Sequence, residues 1–166
     1  MALNPTQLTT LKAHILANTD PVVVAARDPN VRNDDAIRDW YNTPSNTDVW
    51  ESACDRASLF EATPITQFDG LTAGKRDAWR LLLEQAELFP LDFGRPKIRN
   101  AVIDIWPAAQ ANAILSTCVR KATRGELVFG GVSETAVISG GTNVTATDLN
   151  VEIVMTSFDI SLALNL

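Results

Sequence analysis

Apolar positions recur with a helical period as far as about Arg124, and beyond Gly125 that period is lost. Asn4-Pro5 supplies a cap and a first-turn proline ahead of Leu8, Leu11 and Ile15, which predicts a first helix. Asp20-Pro21 repeats the signal before Val22-Val23-Val24, a short helix despite its valines. Asn33-Asp34-Asp35 opens a third, with Ile37, Trp40 and Tyr41 on one face, and a loop follows from Asn42 to Thr47. Residues 48–70 hold no clean period, because Pro64 and Gly70 interrupt any long helix, although Val49-Trp50 is a candidate entry into the core. Thr72 caps the strongest helix, in which Trp79, Leu82, Leu83 and Ala86 share a face until Phe89-Pro90 ends it. Pro96 opens a helix with Ile98, Ala101, Val102 and Ile105 inward, and Pro107 stops it. A last helix carries Ala111, Ile114, Leu115, Cys118 and Ala122, with Arg120 and Lys121 where cations suit its dipole.

After Gly125 the pattern reads as strands. Thr135–Ser139 and Thr142–Ala146 flank Gly140-Gly141, a two-residue hairpin signal in which both turn positions can take positive φ. Val151, Ile153 and Met155 alternate, and then the phase shifts to Phe158, Ile160, Leu162 and Leu164. Because a one-residue slip turns every side chain over, Thr156-Ser157 is expected to be a bulge or a break between strands. The expected fold class is therefore α+β: a helical bundle-like body over residues 1–124 and a β-hairpin and strand extension over 125–166. An amphipathic strand at 158–164 must pair with its own sheet or with a neighbour's, and the small number of strands favours pairing across subunits.

Charge sharpens that division. The chain has 166 residues and a net charge of −6, and residues 125–166 contain no lysine or arginine. Head and tail are acidic, while residues 72–124 are mildly basic through Arg95, Lys97, Arg99, Arg120, Lys121 and Arg124. That set suits either a polyanion or the acidic surface of a partner, beside the plainer reading of a solvated helical face. The opening Met1–Thr10 lacks the basic and apolar regions of a signal peptide, and no apolar run is long enough to span a bilayer, so no membrane role is expected.

Motifs that carry chemistry are sparse. His14 is the single histidine, expected to face solvent, which disfavours histidine metal sites and a hidden triad. Asp34, Asp35 and Asp39 sit where acids complement a helix start. Gly130-Gly131 and Gly140-Gly141 lack phosphate-loop spacing. Cys54 and Cys118 are far apart with no metal or CxxC spacing, so Cys118 reads as a small buried hydrophobe and no disulfide is expected. The tryptophans Trp40, Trp50, Trp79 and Trp106 read as core anchors. No catalytic residue, metal or cofactor is expected, and an enzyme is the least favoured class.

The runs Asp39-Trp40-Tyr41-Asn42, Asp48-Val49-Trp50, Leu71–Lys75 with Trp79, Lys97–Trp106 and Arg120–Glu126 resemble small structural proteins encoded among the head and tail genes of tailed bacteriophages and prophages. Leu8–Lys12 and Asn18–Val23 fit the same resemblance, which extends to about Glu126. It implies a head-tail connector (an adaptor or head-completion protein) forming a homo-oligomeric ring. Its partners are the portal protein and tail or neck proteins, with DNA passing the lumen without specific binding. The implied location is the head–tail junction of a virion made in a host cytoplasm. Candidate partner-contact residues are Arg120, Lys121 and Arg124 of the basic segment and Phe158, Ile160, Leu162 and Leu164 of the tail. A tail terminator or capsid-associated protein is the alternative structural role. A small regulatory or nucleic-acid-binding module is the alternative from another class.

Overall fold

A computed structural model describes residues 3–166. Met1 and Ala2, the first residues of the stretch assessed for a signal peptide, lie outside the described residues. In chain order the elements are α1 (Pro5–Ala17), α2 (Pro21–Ala26), α3 (Asp34–Asn42), β1 (Pro44–Trp50), α4 (Arg56–Ala62), α5 (Ile65–Phe68), α6 (Ala73–Leu88) and α7 (Pro96–Ile105). There follow α8 (Ala108–Thr117), β2 (Val119–Thr123), α9 (Arg124–Leu127), β3 (Gly131–Ala136), β4 (Val144–Leu149) and α10 (Ser157–Leu164). The class is α+β, as the sequence pattern predicts.

The predicted helix starts are present with their caps. Asn4 accepts from the Gln7 amide and Gln7 bonds back to Asn4, a reciprocal capping box. The carboxylate of Asp20 accepts from the Val22 amide, Asn33 from Ala36 and Thr72 from Lys75. Each cap satisfies an amide that has no partner inside the helix.

The strands form one sheet in the order β2-β1-β4-β3, with β1 parallel to β4 and Val49 opposite Thr147. Two of these strands overturn expectations. Residues 44–50 are strand where a loop was expected at 42–47, and the helix expected to reach Ala122 ends at Thr117, with residues 119–123 in β2. The pairings are non-local: the Glu51 amide donates to the Cys118 carbonyl across a long sequence gap, and no local period announces such a partner.

The predicted hairpin strands are adjacent in the sheet, but residues 137–143 make the connection longer than a two-residue turn. Gly140 adopts φ +75, whereas Gly141 does not need positive φ. The Asn143 side chain accepts from the Ile138 amide and closes that connection.

The expected division at residue 124 is replaced by another. One compact unit comprises Met1–Asn46, Lys121–Val132 and Leu149–Leu166, and the second comprises Thr47–Arg120 and Ser133–Asp148. The first unit is centred on Leu11, Ile15, Val23, Ile37, Tyr41, Met155, Ile160 and Ala163, so the C-terminal segment completes the core begun by the N-terminal helices. The second unit packs Trp50, Leu59, Trp79, Phe93, Val102, Trp106, Ile114 and Leu115, with Trp79 and Trp106 edge to face at 5.4 Å.

Candidate partner interface

The tail is a helix, where a strand was expected from residue 158 onward. Thr156 accepts from the Asp159 amide, and Asp159 accepts from the Thr156 amide at 3.0 Å and its hydroxyl at 2.6 Å. This capping box sits in the sequence as Thr-x-x-Asp before an apolar run. Helical geometry redistributes the alternating residues. Ile160 and Ala163 are fully buried and Leu164 packs beside them, whereas Phe158 is 70% exposed and Leu162 38%. Phe158 and Leu162 are four residues apart and share the outer face, with Leu166 exposed one turn further on. The expected four-residue edge of Phe158, Ile160, Leu162 and Leu164 is therefore split, and Ile160 is unavailable to a partner.

Polar contacts within the same unit fix α10. Arg32 donates to the Asn165 side chain at 2.9 Å and to the Ser161 carbonyl at 3.3 Å while pairing with Asp34. Arg38 donates to the Ser157 hydroxyl at 2.9 Å, and that hydroxyl also bonds Asp35. Upstream, the Asn42 amide donates to the Met155 carbonyl and accepts from its N–H, both at 2.8 Å. This two-way bond ties the irregular segment before α10 to the end of α3. The outer face of α10 thus stands on an anchored helix.

The three basic candidates have different environments. The Arg120 guanidinium lies 3.5 Å from the Glu51 carboxylate. Lys121 is exposed and donates to the Asn46 carbonyl at 3.1 Å. Arg124 stacks on Trp40 with its guanidinium carbon 4.4 Å from the ring centroid, while its amide donates to the Thr43 carbonyl. Of the wider basic set, Arg95 pairs with Asp92 at 2.9 Å, and Arg99 is 3% exposed. Arg99 therefore does not belong to any solvated face.

Arg99 instead organises the second unit. It donates to the carbonyls of Phe93 at 2.6 Å and Gly94 at 2.7 Å, pairs with Glu134, and lies 4.7 Å over the Trp50 ring. Asp92 and Asp148 flank the same place: a methyl on Gly94 would sit 2.5 Å from a carboxylate oxygen of Asp148 and 2.9 Å from one of Asp92. Burial holds the Asp148 carboxyl above the usual carboxylate range, and its neighbours Glu134 and Asp92 push it the same way, against Arg99. Among the described residues no group of acids, histidines or cysteines has metal-binding geometry.

The second unit also has an apolar surface that the periodicity did not single out. Leu88 and Phe89, at the end of α6, are 73% and 77% exposed, beside a cleft of about 410 Å³ lined also by Pro90, Leu91 and Ile98. A further cleft of about 300 Å³ lies between Phe60, Ile65, Phe68 and Trp79, with the Trp79 N–H donating to the Thr63 hydroxyl at 3.1 Å. In the sequence, Phe89-Pro90 reads only as a helix terminator. Exposed apolar side chains so clustered mark contact surfaces more often than isolated ones do.

Among the described residues no helix is long and apolar enough to cross a membrane. No family model matches this chain, and no curated protein or solved structure matches it either.

Proposed function

We propose that this protein is a structural component of a tailed-phage particle, a head-to-tail connector that joins portal to tail through ring-forming protein–protein contacts. The observation that carries the reading is the two-sided C-terminal helix. Its inner face is locked by Ile160, Ala163, Arg32 and Arg38, while Phe158 at 70% and Leu162 at 38% exposure point outward. An anchored helix holding apolar side chains in solvent meets a partner with little ordering cost, which favours a structural contact. Tail contact is thus assigned to a helix face in place of an added strand. The sequence resemblance supplies the phage setting, and the net charge of −6 suits a ring through which DNA moves without adhering.

The test is genetic. The gene is disrupted in the phage or prophage that carries it, and the lysate is imaged by electron microscopy with and without a complementing copy. Filled heads lying apart from finished tails, restored by the native chain and not by F158E/L162E, are expected. Normal infectious particles from the disrupted gene overturn the proposal.

A further inference from the structure

The second unit brings its two cysteines together although 64 positions separate them, with Sγ of Cys54 and Sγ of Cys118 3.7 Å apart and both side chains buried. The local architecture explains the meeting. Cys118 caps the C-terminus of α8, and its carbonyl accepts the Glu51 amide. Cys54 lies just downstream of Glu51 in a bridge with Leu91, its amide donating to the Leu91 carbonyl at 3.0 Å and its carbonyl accepting from the Leu91 amide at 2.8 Å. Both backbones are thus held on either side of the sulfur contact. Each thiol fills core volume, yet neither the packing of a hydrophobe nor the hydrogen bond from Cys118 to the Ile114 carbonyl at 3.3 Å requires a second sulfur alongside.

We propose that Cys54 and Cys118 are a redox-active dithiol that closes to an intramolecular disulfide when the chain meets a disulfide oxidant such as oxidised glutathione. The two sulfurs are in contact and must approach by less than 2 Å to reach a bonding distance of about 2.05 Å. Cys54 is the attacking residue. Its neighbours Ala53 and Asp55 are exposed, so opening of that short segment uncovers it, whereas Cys118 is 0% exposed at a helix end. When the single Cys118 proton turns from the Ile114 carbonyl towards the neighbouring sulfur, it favours the thiolate on Cys54, lowering that group and, with burial, raising Cys118.

The Cys54 thiolate attacks one sulfur of the oxidant, forming a mixed disulfide and expelling one glutathione thiolate. Cys118 then loses its proton and attacks Sγ of Cys54, expelling the second. Two electrons pass from the cysteine pair to the glutathione disulfide, and the two cysteine protons end on the released thiols or in solvent. The product joins the segment after β1 to the end of α8 and fixes the Cys54–Leu91 bridge, whose Leu91 lines the cleft beside Leu88 and Phe89. In a reducing compartment the pair stays open, and in an oxidising one it is stapled. This inference does not depend on the connector reading.

The full-length reduced protein is incubated with oxidised glutathione under native conditions, quenched with acid, and alkylated after unfolding. Intact mass and a non-reducing peptide map are then read. The expected result is a monomer lighter by two hydrogens that takes up no alkylating agent and yields a 54–118 cross-linked peptide. The C118S variant should stop as a chain carrying one glutathione, and C54S should react at least tenfold more slowly. The oxidised chain should also melt above the reduced one. Two alkylatable thiols after oxidation of the folded chain, cross-links only between chains, or an oxidised form that melts lower would each overturn the proposal.

Discussion

Replacing Arg99 by methionine removes a buried cation while keeping most of its stem volume, and its cost follows from the contacts. The guanidinium satisfies the Phe93 and Gly94 carbonyls and the Glu134 carboxylate, and its side chain is only 4% exposed. Breaking a buried ion pair by deleting one partner costs about 3–5 kcal/mol, because the remaining groups keep their desolvation without their partner. Glu134 is 29% exposed and regains some water, which moves the expectation to the lower end, about 3 kcal/mol. For a chain of this length that corresponds to a fall in thermal midpoint of roughly 6–12 °C, at about 2–4 °C per kcal/mol. Differential scanning calorimetry and urea unfolding of R99M read the loss directly. The double variant R99M/E134Q should lose less than the sum of the single losses, since neutralising Glu134 removes the charge left stranded, with a coupling of about 0.5–3 kcal/mol. A loss below about 1 kcal/mol for R99M would refute the reasoning, because it is the size expected of an arginine on a solvated face.

Three further outcomes follow from the same structure. In α10, Ile160→Ala should cost about 2–4 kcal/mol by chemical denaturation and Phe158→Ser less than about 0.5, a contrast that a strand placing both on one face does not produce. Asp148→Asn should raise the melting temperature at neutral pH. The native carboxyl sits above its ordinary value, so the folded chain binds the proton more tightly, and the wild-type penalty disappears as pH falls through that native value towards the ordinary carboxylate range. An advantage of the variant that grows on acidification would contradict this sign. Gly140→Ala should destabilise by about 1 kcal/mol from backbone conformation alone, since φ is +75 and a methyl there meets nothing within 4 Å; a neutral result in thermal melts would remove that cause.

Sequence by itself determined what short-range physics decides. Asn4, Asp20, Asn33 and Thr72 cap the helices they were expected to cap, and Pro96 and Pro107 bound α7 between them, because a cap or a proline acts within one turn of its own position. Only the tertiary structure decided the rest. β1 and β2 owe their conformation to partners far along the chain, so Val119–Thr123 leaves the helix that its local period continued. Arg99 stands beside Ile98 in a basic run and looks solvated until Phe93, Gly94 and Glu134 close around it. The tail residues 158–164 fit alternation and helix equally well over so short a stretch, and the Thr156–Asp159 box was the one local signal that separated them. Burial of Ile160 and Ala163 in the N-terminal unit's core then fixed which apolar side chains remained in water, and with them the candidate interface. The contact between Cys54 and Cys118 belongs to the same class: spacing along the chain carries no information about two sulfurs that meet only when the end of α8 closes on the segment after β1.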